Sequence, residues 1–377
     1  MNIINANIKN KINGNNFIFL VFLFSGFCLI IQTILSLHWG GLVEASCRWD
    51  CPWYMSIAQD GYSTLPPLEI GGRHQGARVN WAFFPLYPLI ISSLNTFIPL
   101  TVKEIGLIVN LIIWPIVILL CYYDTKIRGM KIDKVFFVIF FSFYPFNIWY
   151  TAQYSEGIYG LFLMCSLVAL RRGYISIGAI ACIFLALSRP TGFMMSACLA
   201  VWWWFTQNAR YTFSKPSFLS TRLLDSTLIL VSGGAGLSLY VLYLFHLVGD
   251  GFAFSHVETA WRKEFHLFPY YLIHAFFHKK EFKFGLYAFC SIFLIIKMSN
   301  KTWSLNATLI GTTALLASCV GLESIERYVF GNPLAIQFLA WSAYSKPPQT
   351  RKLILFLMLV GHVITTLMWF KQSHWVI

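Results

Sequence analysis

Long apolar stretches alternate with short polar ones along most of this chain. They fall near 17–37, 86–100, 104–123, 135–152, 157–170, 174–188, 192–206, 226–248, 285–298, 303–320, 333–344 and 353–370. Repeated runs of this kind, many long enough to cross ~30 Å of hydrocarbon, predict an all-α polytopic membrane protein. The first run follows the polar stretch "MNIINANIKNKINGNN" with Lys9 and Lys11. It is too long for a signal-peptide core and has no small-residue cleavage site. It therefore reads as a retained first helix behind a cytoplasmic tail, residues 1–16.

The polar segments differ in charge according to their place in the alternation. The N-terminal tail, "DTKIRGMKIDK", "RRG", "TQNARYTFSKPSFLSTRLLD", "KMSNK" and "SKPPQTRK" together hold 16 Lys and Arg against 3 Asp and Glu. The other set holds 12 against 12. Cytoplasmic loops are enriched in Lys and Arg, so the first set is assigned to the cytoplasm. The asymmetry survives only if one run fails to cross. Run 86–100 is about 22 Å long as a helix and carries prolines at both ends, so it is read as interfacial. The expectation is about 11 transmembrane helices in a single integral-membrane domain, 17–377. Its first extracytoplasmic loop, 38–103, would hold short interfacial helices.

Composition agrees with this picture: 57% of residues are hydrophobic and 11% charged, where soluble domains carry about 25% charged. The net charge of +13 sits in the cytoplasmic loops. It forms no basic, aromatic-interleaved surface for nucleic acid. Most of the nine cysteines lie in apolar runs, as small hydrophobes. Cys47 and Cys51 flank Asp50, a spacing awkward for a disulfide, and no further ligands complete a zinc site; they read as two thiols.

With this topology the unusual segments "RWDCPWYMSIAQDGYS", "WAFFPLYP", "QYSEG", "SRPTG", "FSHVETAWRKEF" and "LESIERY" share the outer face. Pro52 suits the first turn of a helix that would run to Asp60 and end at Gly61. Asp50 then either caps that helix or serves as a general base, kept ionised by the helix N-terminus. Trp49, Trp53 and Tyr54 offer flat faces with polar edges, suited to a sugar ring or to the lipid interface. Tyr154 and Glu156 sit at a helix start, where they orient an acceptor or support Asp50; the alternative is that Ser155 or Glu156 only caps the helix. Trp81, Phe83, Phe84 and Tyr87 either line a lipid-tail groove or simply pack. Asp60 reads as exposed. His256, His266, His274 and His278 are too loosely spaced for a metal-ligand set.

"RWDCPWYMSIAQDGY" followed by "FFPLYPLI" resembles the PIG-V family of mannosyltransferases and their bacterial relatives. That family shows a tryptophan–aspartate pair, a tyrosine, an "IA..GY" segment and "FFPLYP". "YSEGIYGLF", "LALSRPTGF", "AWRKEF" and "ERYVFGNPLAIQFLAW" follow in the same order, so the likeness spans about residues 48–341. The chain departs from the family at Cys51-Pro52, at "SRPTG" and at Gly157, which bears on acceptor and sugar more than on fold.

The resemblance implies a GT-C architecture that takes sugar from a polyprenyl- or dolichyl-phosphate donor. Asp50 would be the catalytic base, with Arg48, Trp49, Trp53, Tyr54, Tyr154, Glu156 and Trp261 around the substrates. A departing lipid phosphate needs fixed positive charge, for which Arg189, Arg262 and Arg327 with Tyr328 are the candidates; Lys263 is a weaker one. The alternative for each arginine is pairing with an acid: Glu326 adjoins Arg327 and Glu264 lies near Arg262, whereas the loop of Arg189 has none. No cofactor is implied, and a divalent metal is left open. The expected partners are the lipid-linked sugar donor, a glycan, glycolipid or protein acceptor, and the bilayer. The expected location is a bacterial inner membrane with the site facing the periplasm, with the endoplasmic reticulum as fallback. Two rival classes are a polytopic transporter or lipid flippase, which would show ionisable groups near the midplane and an internal repeat, and a non-enzymatic membrane subunit.

Overall fold

A computed structural model describes residues 2–64, 79–206, 217–258 and 264–376. Among the described residues the chain is helical throughout and contains no strand. The order begins α1 (Asn2–Ser36), α2 (Leu42–Ser46), α3 (Cys51–Asp60), α4 (Leu86–Asn95), α5 (Val102–Ile127) and α6 (Lys134–Ser142). It continues with α7 (Ile148–Thr151), α8 (Glu156–Arg172), α9 (Ile175–Ser188), α10 (Thr191–Thr206), α11 (Ser217–Val248) and α12 (Ala253–His256). It closes with α13 (Phe268–Phe277), α14 (Phe282–Met298), α15 (Ser304–Ser318), α16 (Ile325–Val329), α17 (Pro333–Tyr344) and α18 (Pro348–Phe370).

Among the described residues, four segments are long and apolar enough to cross a membrane: Asn16–Trp39, Val102–Ile127, Thr221–Val248 and Pro348–Phe370. These mark a membrane protein. In α5, 67% of the most apolar stretch is buried, against 17%, 33% and 22% in α1, α11 and α18. α5 is thus the central post, and the other three turn leucine, isoleucine and phenylalanine outward, as a lipid-facing helix does. A capping box starts α5: Thr101 accepts from the Glu104 amide, and Glu104 accepts from the Thr101 amide.

Two apolar runs form less continuous helix than their lengths would allow. The run at 86–100 folds only as far as α4, whose ten residues span about 15 Å, half the hydrocarbon thickness. The run at 135–152 is not one helix. α6 ends at Ser142, and Pro145 forces Tyr144 into an extended conformation (φ −64°, ψ 131°) before α7 begins.

α9, α10 and α11 pack closely because two glycines let backbones meet. A Cβ on Gly192 would collide with the Leu185 carbonyl, and one on Gly236 with the Ile183 carbonyl.

Polar groups collect at both ends of the α5–α8 pair. At the end where these helices finish, buried Asp124 contacts Arg171 Nε (3.2 Å) and Arg128 Nη1 (3.5 Å) and accepts from Gln337 Nε2 (2.8 Å). Arg128 also stacks 4.0 Å from the Trp303 ring. The sequence places such charges on one outer edge; the molecule has a second buried set. Burial forces this pairing, because Asp124 is fully enclosed and an uncompensated carboxylate there would be very costly.

Candidate functional site

At the other end of α8, three short elements bring together residues that lie far apart in sequence. The loop before α3 carries Asp50, the start of α8 carries Tyr154 and Glu156, and α16 carries Arg327 and Tyr328. Arg189 joins them from the turn between α9 and α10.

Asp50 sits at the N-cap of α3, but its side chain makes no capping hydrogen bond. It turns away from its own helix and accepts from Arg327 Nη1 at 2.8 Å. The Asp50 side chain is 34% exposed, against 8% for Arg327. Capping alone therefore does not account for this acid.

The Cys47–Cys51 pair is a disulfide with Cα atoms 5.1 Å apart, which corrects the reading of two thiols. The spacing is awkward only for a continuous helix. Here Trp49 adopts a left-handed backbone (φ 51°), which reverses the chain between α2 and α3 and returns Cys51 to Cys47. The bridge encloses Arg48, Trp49 and Asp50. Gln153 braces the same loop by donating to the Val43 carbonyl (2.7 Å) and to Ser46 Oγ (3.0 Å).

Tyr154 is fully buried and fixes the Asp50 backbone from the far side. Its hydroxyl accepts from the Asp50 amide (2.8 Å) and donates to the Arg48 carbonyl (3.1 Å). Burial pushes its phenol well above the usual range, so the proton stays in place. Asn110, a lone amide in the apolar run of α5, anchors this segment in turn. Its Nδ2 donates to the Tyr154 carbonyl (2.9 Å) and to the Ala152 carbonyl.

The four charges form an alternating string. Arg327 touches Asp50 with Nη1, while its Nε lies 3.2 Å from Glu156 Oε1. The same Glu156 oxygen accepts from Arg189 Nη1. Arg327 Nη2 donates to the Tyr328 hydroxyl (3.2 Å), and the Tyr328 ring lies 4.7 Å from Arg189 and 5.2 Å from Arg327. Glu156 Oε2 is buried and accepts no hydrogen bond among the described residues. Burial works against both guanidinium charges, but it is outweighed. Glu156 and Tyr328 hold Arg189 above its ordinary value, and Tyr328, Glu156 and Asp50 do the same for Arg327. The arginines thus pair with acids from distant segments. Arg327 takes Asp50 and Glu156, and Arg189 finds in Glu156 the acid that its own loop lacks.

Arg189, Arg327, Glu156, Tyr159, Tyr328 and Asn332 are among the residues lining a small cavity of about 20 Å³ in water-accessible volume. That is room for one or two waters.

The remaining candidates lie around this string. Tyr54 is buried, with its hydroxyl 2.8 Å from Ser155 Oγ, so Ser155 does not cap α8. Trp53 stacks on Phe83 at 5.8 Å. Trp49 packs against His374 at 5.1 Å. The Arg48 carbonyl belongs to the site, but its guanidinium forms no ion pair among the described residues. Trp81, Phe84 and Tyr87 are buried in the packing and do not line a surface groove. Trp261, Arg262 and Lys263 lie outside the described residues. No group of three His, Cys, Asp or Glu able to hold a metal occurs among the described residues. His256 instead meets Asp250 (2.7 Å) and His274 meets Glu281 (2.9 Å).

The disulfide and Asn110 escaped the sequence reading. For Asn110 the signal was present: one amide in an otherwise apolar helix needs a partner. No protein-family model matches the chain, and no curated protein matches its sequence.

Proposed function

We propose that this protein is an inverting glycosyltransferase of the GT-C type, with Asp50 as general base. It would move a sugar, mannose by the resemblance, from a polyprenyl- or dolichyl-phosphate donor to an acceptor hydroxyl outside the cytoplasm. The observation that carries the reading is the state of Asp50. Its carboxylate is released from capping, a third exposed, and held beside the buried Arg327, which Glu156 links to Arg189.

In the proposed reaction the acceptor oxygen attacks the anomeric carbon while Asp50 accepts the hydroxyl proton. The bond from that carbon to the phosphate oxygen breaks, and the electron pair leaves on the lipid phosphate. Arg189 and Arg327 present planar, permanently charged forks suited to the departing anion. Base assistance contributes about 10²–10⁴-fold, and alignment of the two substrates contributes more.

The proposed topology has eleven passes, counting α6 and α7 as one and leaving α4 at the interface. Contacts between segments support it, because they pair only ends assigned to one side. Asp124 with Arg171, and Arg128 with the Thr302 carbonyl, belong to the cytoplasmic ends. Glu156 with Arg189, Asp50 with Arg327, and Trp369 with the Ser46 carbonyl belong to the outer ends. The disulfide also suits an oxidising compartment, such as a bacterial periplasm or the endoplasmic reticulum lumen.

The test compares purified wild type with Asp50→Asn, using polyprenyl-phosphate-mannose, a membrane-lipid extract as acceptor source, and release of lipid phosphate as the readout. Turnover should fall by about 10² or more in the variant. Equal turnover would remove Asp50 from the reaction.

A further inference from the structure

The resting site has a difficulty that the geometry also resolves. A general base must offer a carboxylate oxygen to the acceptor hydroxyl, and a guanidinium bonded to that oxygen stands in the way. Asp50 is in that state, with Arg327 Nη1 2.8 Å from its Oδ2. The string Asp50–Arg327–Glu156–Arg189 holds two acids and two cations, so its net charge is zero and each arginine is already engaged. The cavity where Arg189, Arg327 and Tyr328 converge is no larger than one or two waters. A phosphate head cannot enter without moving a guanidinium.

Burial decides which contact gives way. Glu156 is enclosed (side chain 7% exposed), and loss of its partners would strand a charge away from water. Asp50 is 34% exposed and can be rehydrated on release. The Asp50 end of Arg327 is therefore the one that opens. The backbone leading to Arg327 also contains an unusual conformation: Ser324, immediately before the five-residue α16, is left-handed (φ 68°).

Resting on the glycosyltransferase reading above, we infer that Arg327 masks Asp50 until an alkyl-phosphate anion enters this cavity and takes over the guanidinium. Arg327 is then a positioning residue with two partners in turn, first the base and then the donor phosphate. The base is armed only when a donor is present, so acceptor deprotonation follows donor binding.

The experiment uses the full chain in detergent micelles, with dodecyl phosphate as the probe and dodecanol as the uncharged control. Binding is followed by titration calorimetry. The Asp50 carboxyl is followed by carbodiimide labelling at fixed pH and peptide mass spectrometry. Labelling needs access to the carboxyl, and Arg327 now occupies one of its oxygens, so dodecyl phosphate should raise Asp50 labelling severalfold. Dodecanol should not. In Arg327→Gln, labelling should already be high and respond little to the probe; if that variant does not fold, the wild-type comparison decides alone. Binding without a rise in labelling overturns the masking and leaves the donor-phosphate assignment intact. Failure of dodecyl phosphate to bind at all overturns the assignment itself.

Discussion

The charge string makes a prediction that depends on balance more than on any single contact. Glu156→Gln keeps the side-chain shape but removes the carboxylate shared by two buried guanidinia, leaving the string with net charge +1. Arg189→Met leaves net charge −1, although Glu156 still has Arg327 beside it. The double variant returns to zero, with only the Asp50–Arg327 pair remaining. The Glu156 and Arg189 side chains are 7% and 15% exposed, so water screens them little, and breaking a buried pair costs about 3–5 kcal/mol. Glu156→Gln should fall at the upper end, because two cations lose a partner, and Arg189→Met at the lower. Together the double variant should lose no more than Glu156→Gln alone, a coupling of about 3 kcal/mol. Unfolding in mixed micelles of increasing SDS content, followed by tryptophan fluorescence, supplies the four free energies. Additive losses would refute the balance argument.

Four further outcomes follow from other parts of the molecule. Alkylation of the denatured, unreduced chain should modify the seven free cysteines, and reduction should raise the number to all nine; nine without reductant would remove the bridge. Replacing both Cys47 and Cys51 by Ser should cost about 2 kcal/mol by loop closure and should reduce lipid-phosphate release in the proposed assay more than the fraction folded. Asp124→Asn should destabilise by about 3–5 kcal/mol, since it strands Arg171 and Arg128. Turnover per folded molecule should stay unchanged, and a turnover loss with normal stability would give that cluster a functional role. Gly236→Ala should cost about 1–3 kcal/mol or more, because the new methyl meets the α9 backbone; unchanged unfolding would refute the close approach.

Features governed by near neighbours were legible in the sequence. Pro52 and Gly61 bracket α3 as their chemistry dictates, with Gly61 at φ 81°. The short run after "FFPLYP" gives a short helix, α4. Asp50, Glu156, Arg189 and Arg327 could each be picked out by residue type. Their pairing could not, since Glu156 and Arg189 are 33 residues apart, and Asp50 and Arg327 are 277 apart. Nothing in a single sequence ties such partners together. The disulfide was hidden for a related reason. Spacing rules assume ordinary backbone, and a tryptophan in the left-handed region breaks that assumption. The break within 135–152 was within reach, because Pro145 restricts the residue before it, but hydropathy alone passes over it.

On the proposed function and topology, the bridge around Asp50 would tie the protein's competence to its route through the cell. In reducing surroundings the five-residue ring would stay open, and the carboxylate would lose the constraint on its heading. Sealing that ring on the far side of the bilayer would give the acid its direction at the moment it reaches the compartment holding its substrates. Molecules stranded on the wrong side would stay idle without needing a separate inhibitor.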